Sequence, residues 1–411
     1  MKIEILTIGD EILSGNIVDT NFAWLGDKLW SMGFDLHWHT TVGDEPETIA
    51  SGLLAAVGRS QAVLVTGGLG PTLDDITLEI AARTFGLPLI LNEEALGTIR
   101  GLFKKIGREM TPNNMKQAML PQGSTIIPNK VGTAPGCALL FKGTRFFFMP
   151  GVPQEMQQQF IESVLPALFQ AESTKKAFVQ KILRCFGAPE ANIAQKLEGI
   201  NLEGVDLAYR LSFPEILLKV SARGEEPSPL EEKVSKVEQE IRFRLGDLVY
   251  GEGEDSFAAL VGQLLISQKA TVAMAESCTG GELASLMTNI PGSSHYFDCG
   301  AVTYSNVSKN RILGVPESVI KTFGAVSSET AVAMAKGIRR VSQATYGLAV
   351  TGIAGPEGGT PTKPVGTVYI ALDAPDGSTS REFHFPTNRK WFKKVVAYSA
   401  MDLLRKKLKL A

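Results

Sequence analysis

The sequence has few cysteines and histidines, and they lack the spacing of a metal or disulfide framework. Its 411 residues include four cysteines and four histidines, with no Cys-x-x-Cys pair. This pattern suggests neither a zinc site nor a disulfide scaffold. Unpaired cysteines are typical of a reducing compartment, so we expect a cytoplasmic protein.

Long apolar runs and an excess of one charge are also missing. No run approaches the about 18 apolar residues of a membrane span, and the N-terminus lacks a signal-peptide pattern, so we expect no membrane association. The 41 Lys and Arg residues nearly balance 43 Asp and Glu residues, which gives a formal net charge of −2. Direct nucleic-acid binding is therefore not expected, and any site for a polyanion must be local.

The first 170 residues repeat a short β-rich run, a glycine turn and a segment of helical period. This repeat is the sequence form of βαβ units in a parallel sheet. Predicted strands cover residues 3–8, 62–65 and 145–149, and predicted helices cover residues 16–29, 74–85 and 154–169. The pattern predicts a doubly wound α/β domain.

Residues 171–250 differ from their flanks, since their predicted order is βαββα. That order and size suit a small α+β module similar to a KH domain, but the Gly-x-x-Gly loop that grips RNA is missing. A structural or dimerising linker is therefore favoured over an RNA-binding module. After residue 250 the α/β theme returns, with predicted strands at 271–275, 301–304, 348–350 and 366–372 and helices at 256–268, 280–288 and 389–408. We predict two α/β domains with mainly parallel sheets, residues 1–170 and 251–411, joined by the KH-like module, residues 171–250.

Two loops share the pattern V-T-G-x-x-G-P, at residues 65–71 and 350–356, each after a β-rich run. Glycines let backbone N–H groups approach an anion at the carboxyl end of strands, where open α/β sheets bind ligands. We favour phosphate or nucleotide cradles over plain tight turns. The candidate phosphate-binding residues at this edge of the first domain are Thr66, Gly67, Gly68, Gly70, Thr133, Gly151 and Glu155.

Asp74 and Asp75 follow the first loop at a predicted helix start. They could simply cap the helix and interact with its dipole. Carboxylates beside a phosphate-type loop are also what a divalent ion needs to bridge to a diphosphate, and we favour this metal-binding interpretation.

In the C-terminal domain, residues 275–281 (AESCTGG) lead abruptly from a strand into a helix. A side chain at such a turn is exposed, so Ser277 or Cys278 could be a nucleophile. The following amides of Thr279, Gly280 and Gly281 form a candidate oxyanion hole. Alternatively, Ser277 is an ordinary N-cap and Cys278 a small buried residue.

A serine nucleophile needs a base, and the four histidines offer no evident Ser-His-Asp set. A desolvated, neutral lysine can take the serine proton instead. Tyr304 and Lys309 follow directly after a predicted buried strand, so Lys309 is the candidate base. The alternative places Lys309 on a solvated helix face.

The whole chain resembles the CinA family, the competence/damage-inducible proteins. The motifs of the first half are TIGDEILSG at residues 7–15, TGGLGPTLDD at 66–75 and MPGVPQEM at 149–156. This half is similar to the molybdopterin-binding MoaB/MogA fold. The resemblance implies hydrolysis of ADP-ribose to AMP and ribose 5-phosphate, with a divalent ion (Mg, Mn or Co) near Asp74 and Asp75. A non-catalytic domain that binds a pterin or nucleotide is the alternative.

The second half resembles a nicotinamide-nucleotide amidase domain at residues 275–281, 303–306 and 351–356. The resemblance implies conversion of nicotinamide mononucleotide to nicotinate mononucleotide and ammonia without a cofactor. It further implies that Ser277 is the nucleophile and Lys309 its base, with Tyr304 in support and a homodimeric assembly. The candidate nucleotide-binding residues are Thr351, Gly352, Ala354, Gly355 and Arg389. A competence-related interaction protein is the remaining alternative.

Overall fold

The computed structural model describes residues 1–172 and 177–410. Its internal contacts divide the chain into two units. One unit comprises Met1–Val179 and Arg223–Leu230, and the other comprises Gln180–Ala222 and Glu231–Ala411. Within the part of the chain that is described, no helix is both long and apolar enough to cross a membrane.

The first unit is an α/β structure. Its strands are β1 (Ile3–Ile8), β2 (Leu36–Val42), β3 (Ala62–Thr66), β4 (Leu89–Leu91), β5 (Met119–Pro121), β6 (Thr125–Ile127), β7 (Gly136–Phe141) and β8 (Thr144–Met149). Its helices are α1 (Asp10–Leu13), α2 (Thr20–Ser31), α3 (Pro46–Ala56), α4 (Thr77–Phe85), α5 (Glu93–Lys105), α6 (Pro153–Gln159) and α7 (Leu165–Ala171).

Six of these strands form one mixed sheet in the order β2-β1-β3-β8-β7-β6. The first four strands are parallel, β7 pairs antiparallel with β8, and β6 pairs antiparallel with β7. Alternate residues of β8 serve opposite faces, since Phe146 and Phe148 pack in one core cluster and Phe147 in another. The sheet is therefore covered on both faces, as the βαβ repeat predicts, and the α/β prediction is confirmed.

Two predicted helix starts are wrong in this unit. The helix predicted at 16–29 begins at Thr20, because the Asp19 carboxylate caps it by accepting a hydrogen bond of 2.7 Å from Phe22 N–H. The helix predicted at 74–85 begins at Thr77. Asp74 and Asp75 therefore lie in the turn before α4 and not at its start.

The rest of the described chain contains a small α+β module and a second α/β domain. Its strands are β9 (Ala177–Cys185), β10 (Asp206–Ser212), β11 (Glu215–Gly224), β12 (Val249–Glu252), β13 (Val272–Glu276), β14 (Phe297–Val302), β15 (Tyr346–Gly352), β16 (Thr367–Ala374) and β17 (Gly377–His384). Its helices are α8 (Glu190–Lys196), α9 (Pro227–Leu245), α10 (Phe257–Ser267), α11 (Glu282–Thr288), α12 (Asn306–Leu313), α13 (Glu317–Phe323), α14 (Ser328–Ser342) and α15 (Arg389–Leu410).

The module has the predicted order βαββα, formed by β9, α8, β10, β11 and α9. Its four-stranded sheet has the order β10-β11-β9-β12. Residues 173–176, which the prediction included in this module, lie outside the described residues.

The second α/β domain has a five-stranded sheet in the order β14-β13-β15-β16-β17. The first three strands are parallel, whereas β16 and β17 are antiparallel additions. The strand predicted at 301–304 ends at Val302, so Tyr304 lies in the following loop. The helix predicted from residue 280 begins at Glu282, so Gly280 and Gly281 belong to the turn after β13.

Candidate active sites of the two units

The turn after β13 is fixed by a buried carboxylate that the sequence did not single out. Glu276, the last residue of β13, is 1% exposed. Its side chain accepts hydrogen bonds from the N–H groups of Gly281 at 2.9 Å, Leu283 at 3.2 Å and Ala284 at 2.8 Å. A carboxylate here satisfies the free N–H groups at the start of α11 and complements its dipole. Glu276 therefore holds the turn that carries Ser277.

Ser277 is held on its main chain and faces a buried amine. Its N–H donates to the Val350 carbonyl of β15 at 3.1 Å. The Nζ atom of Lys309 lies 3.1 Å from Ser277 Oγ, and Lys309 is 1% exposed. The structure thus brings together two residues that are 32 positions apart in sequence. A buried Lys309 argues against the alternative of a solvated helix face.

The surroundings of Lys309 suit a neutral amine. Its Nζ donates to the carbonyls of Thr303 at 2.9 Å and Tyr304 at 3.0 Å. Burial lowers the pKa of Lys309 from its usual value of 10.5, because desolvation penalises the ammonium form. A neutral amine has two N–H bonds, and both donate hydrogen bonds to these two carbonyls. Its lone pair then remains to accept the hydroxyl proton of Ser277. The geometry therefore fits lysine as a proton acceptor.

Cys278 is poorly suited to be the nucleophile. It is 4% exposed and packs in the hydrophobic core of the domain. Burial raises the pKa of its thiol to about 12, so the thiolate is scarce at neutral pH. Between the two candidate nucleophiles, the geometry favours Ser277.

The predicted oxyanion hole is only partly available. The N–H of Gly280 donates to the Ser277 carbonyl at 3.2 Å, and the N–H of Gly281 is bound by Glu276. Both glycines have positive φ, a backbone conformation that shapes the turn. Their amides are engaged within this turn and are not free for a ligand. Among the described residues, the amides of Cys278 and Thr279 have no oxygen acceptor and lie against the weakly accepting sulfur of Cys278. Of the three predicted amides, that of Thr279 is therefore still available, and the amide of Cys278 is a further one.

Tyr304 contacts the lysine through its main chain, and its side chain points elsewhere. Its hydroxyl accepts a hydrogen bond of 2.9 Å from Arg389, which also donates to the Gly355 carbonyl at 2.9 Å. Arg389 therefore links Tyr304 and Gly355, all three of which the sequence predicted as site residues. Thr351 differs, because its hydroxyl is occupied by the Ala325 carbonyl at 2.7 Å. Its side chain therefore holds the loop, and only the main chain of this segment remains for a ligand.

In the first unit, the predicted residues surround one cavity of about 500 Å³. It lies at the carboxyl ends of β1, β3 and β8, the edge at which open α/β sheets bind ligands. All nine predicted residues line it, namely Thr66, Gly67, Gly68, Gly70, Asp74, Asp75, Thr133, Gly151 and Glu155. The volume is within the range of small-molecule sites.

Two buried oxygen atoms beside this cavity lack hydrogen-bond partners within the described residues. They are Thr66 Oγ1 and Asn21 Oδ1. Asn21 is held in place because its amide donates to the Gly151 carbonyl at 2.7 Å. Unsatisfied buried polar atoms are costly, so their position at a cavity wall points to a bound ligand or water.

The two predicted metal ligands differ in their contacts. Asp75 accepts hydrogen bonds from both the N–H and the hydroxyl of Thr72, so it closes the loop. Asp74 is exposed. Asp44 also lines the cavity, and its pKa is raised by burial and by the nearby charges of Asp10, Glu11 and Asp74. The described residues contain no group of three or more His, Cys, Asp or Glu side chains that could hold a metal ion.

Glu155 is a half-buried acid at the cavity wall. Burial raises its pKa, although the Asn129 amide donates to it at 2.5 Å. A charged carboxylate repels phosphate, so the predicted phosphate-binding role does not fit Glu155. A raised pKa means that this carboxyl keeps its proton to a higher pH than an ordinary glutamate does.

A polar trio near the same cavity was missed. The Thr7 hydroxyl donates to Asp19 at 2.7 Å and lies 3.2 Å from Nε2 of His39. The His39 ring stacks on Phe22 with a centroid separation of 3.7 Å. These residues come from three elements, so no local motif could have joined them.

The fold and the sites define an α/β protein with a glycine-rich candidate centre in each unit. Residues 4–170 match the family described as "Probable molybdopterin binding domain", residues 180–251 match "Damage-inducible protein CinA KH domain", and residues 254–408 match "CinA C-terminal domain". The chain belongs to the CinA family. Its first part is MoaB/MogA-like and its middle part is KH-like, as predicted.

Full-length relatives support this assignment. A CinA-like protein of Citrifermentans bemidjiense is 44% identical over 410 residues, which cover 99% of this chain and 98% of that protein. A CinA-like protein of Geotalea uraniireducens is 42% identical over 410 residues, with the same two coverages. A solved structure of a CinA protein of unknown function from Thermoplasma acidophilum is 36% identical, covers 41% of this chain and 96% of its own, and has a TM-score of 0.37.

Proposed function

We propose that the second unit hydrolyses the carboxamide of nicotinamide mononucleotide. The observation that carries this proposal is the contact of 3.1 Å between Ser277 Oγ and the buried Nζ of Lys309. A serine with a neutral lysine is a nucleophile–base pair for acyl transfer. The cationic Arg389, held beside Gly355, offers a partner for the phosphate of a nucleotide.

The reaction follows from the roles of these groups. Ser277 Oγ attacks the carboxamide carbon, and its proton passes to Nζ of Lys309. The amides of Cys278 and Thr279 stabilise the oxyanion. The lysine then returns the proton to the amide nitrogen, so ammonia leaves and an ester to Ser277 remains. Water attacks this ester with Lys309 again as the base, which releases nicotinate mononucleotide and restores Ser277.

The test measures ammonia release from nicotinamide mononucleotide in the presence of EDTA. We expect Ser277→Ala to lose at least about 10³-fold in turnover, as removal of a nucleophile does. Cys278→Ala is the matched control and should keep activity within a few fold. Undiminished turnover of Ser277→Ala would refute the proposal, and loss only in Cys278→Ala would transfer the role to the thiol.

For the first unit, we propose hydrolysis of the diphosphate of ADP-ribose to AMP and ribose 5-phosphate. Asp44 and Asp74 fit a divalent ion, because they are hard oxygen ligands and their mutual repulsion would be relieved by a cation. Such ions are commonly bound through one or two carboxylates together with substrate phosphates. When bound, the ion would neutralise the diphosphate. The orphaned oxygens of Asn21 and Thr66 are placed to bind substrate or water.

Glu155 is the proposed proton-transfer group of this site. Its raised pKa and its place in the cavity suit protonation of the leaving phosphate oxygen. We expect Glu155→Gln to lose about 10²-fold or more in ADP-ribose hydrolysis while it still binds ADP-ribose. Thermal-shift titration measures the binding and AMP release measures the turnover.

Asp74→Asn tests the metal. The variant should need a higher magnesium concentration for half-maximal hydrolysis, whereas Glu79→Gln on α4 should not. An unaltered magnesium dependence in Asp74→Asn would contradict the assignment. Binding of ADP-ribose without turnover by the wild type, at any magnesium, manganese or cobalt concentration, would instead support a non-catalytic binding domain.

A further inference from the structure

A second cavity, of about 540 Å³, lies in the second unit away from the turn that carries Ser277. None of the residues assigned above to catalysis or nucleotide binding lines it. Its residues come from β17, α15 and the KH-like module, and those that carry the argument are Phe186, Phe213, Arg381, Phe383, Phe385 and Ser399.

The walls of this cavity are largely aromatic, and part of the lining comes from alternate residues of one strand. Arg381, Phe383 and the nearby Phe385 alternate along the chain, so they share one face of β17 and its extension. The rings of Phe383 and Phe385 are stacked with centroids 5.7 Å apart. Phe186 and Phe213 from the KH-like module complete the aromatic lining. Cavities of this size and lining are typical of small-molecule sites.

One wall contains a polar group without a partner. Ser399 is 6% exposed, lines the cavity, and has no hydrogen-bond partner among the described residues. Its Oγ atom is not fully buried, because it opens onto the cavity. The hydroxyl is therefore free to form a hydrogen bond with a ligand or water in the cavity.

One cation at the cavity, Arg381, is available to an anionic ligand. Lys406 is neutralised by Asp402 at 2.7 Å, and Asp402 also accepts from Arg405 at 2.9 Å. Arg381 lines the cavity and is exposed, with no ion pair among the described residues. A guanidinium is suited to bind a carboxylate by two parallel hydrogen bonds. Glu190 lies on the wall formed by the KH-like module.

We propose that this cavity is a binding site for a small aromatic carboxylate. The aromatic ring lies among the phenylalanines, the carboxylate pairs with Arg381, and Ser399 forms a hydrogen bond to the ligand. This site is independent of the proposed amidase and ADP-ribose activities, and its occupancy is measured by binding alone.

The test compares naphthylacetate with naphthylacetamide, which has the same ring but no charge, by isothermal titration calorimetry of the full chain. We expect naphthylacetate to bind at least tenfold more tightly than the amide. Arg381→Gln should weaken the binding of naphthylacetate about tenfold and leave the binding of naphthylacetamide unchanged. Arg100→Gln, on α5 of the first unit, removes the same charge far from this cavity in sequence and should change neither affinity.

Ser399→Leu tests the place of binding, since it fills the cavity and removes the hydroxyl. Provided that the Ser399→Leu protein keeps an intact melting transition, it should bind both probes at least tenfold more weakly than the wild type does. If that variant does not fold, the comparison of Arg381→Gln with the wild type still tests the proposal, because Arg381 is exposed and its substitution should leave the fold intact. Equal binding of both probes, no effect of Arg381→Gln, or no binding of naphthylacetate by the folded wild type would each overturn the proposal.

Discussion

At the scale of a residue, burial gives Lys309 its proposed chemistry. A lysine on a helix surface is an ammonium ion at neutral pH and cannot accept a proton. Lys309 is 1% exposed and, among the described residues, has no carboxylate partner, so its charged form is penalised. The two carbonyls that accept hydrogen bonds from its N–H groups orient the lone pair of the neutral amine toward Ser277.

The pH dependence of ammonia release follows from this burial. Below the pKa of Lys309 the amine is protonated and inactive as a base, so turnover should rise with pH as the amine loses its proton. Because the pKa is lowered from 10.5, the midpoint of this rise should lie below pH 10.5. The measurement is turnover at saturating nicotinamide mononucleotide across a pH series.

Lys309→Arg is the matched variant for that series. Arginine keeps a positive charge at every accessible pH, so the variant should show no ascending limb and at least about 10²-fold lower turnover. A Lys309→Arg enzyme with the wild-type profile would exclude lysine as the base.

At the scale of an element, the start of α11 depends on one side chain. Glu276 replaces the missing carbonyl partners of three N–H groups, and the same contacts fix the turn before the helix. The element and the site are thus held by one buried residue.

Glu276→Gln should destabilise the protein and also reduce ammonia release. The amide keeps one accepting oxygen and places a donor against an N–H group, so we expect a loss of about 2 kcal/mol in the free energy of unfolding. Urea denaturation measures this loss. The control Glu282→Gln changes a neighbouring, less buried acid whose nearest cation, Lys393, is 4.0 Å away. It should shift stability by no more than about 0.5 kcal/mol. Equal losses in both variants would contradict the capping role.

At the scale of the whole molecule, charge balance decides which partners are attracted over long range. The formal net charge is −2, and the KH-like module has Gly187-Ala188-Pro189-Glu190 after its first strand in place of a Gly-x-x-Gly loop. This segment lines the apolar cavity of the second unit. The chain as a whole therefore carries no excess of positive charge, and the module lacks the loop with which a KH domain holds an RNA backbone.

We expect the full chain to show no saturable binding of a labelled single-stranded RNA at about 0.15 M salt. Fluorescence anisotropy over a salt series measures it. Saturable binding that weakens steeply with salt would show phosphate contacts and contradict the expectation. The family relationship makes this measurement informative, since the matched module is described as a KH domain.

The features that depend on neighbouring residues can be predicted from the amino-acid sequence alone. The βαβ repeat, the βαββα order and the turn that carries Ser277 could be predicted, because hydrophobic period and glycine turns act locally. The strand predicted at 366–372 corresponds to β16, but its antiparallel direction was not predicted, and neither were the strands β6, β7 and β17. Strand direction is a property of pairing between distant segments.

Which groups are available for chemistry depends on the packing of segments that are distant in the sequence. It buried Lys309 against Ser277, occupied the amide of Gly281 with Glu276, and engaged Asp75 with Thr72. The residue types were visible in the sequence, but their burial and their hydrogen-bond partners were not. A pKa or a free amide depends on how much water and which atoms surround the group, and the packing of distant segments sets both.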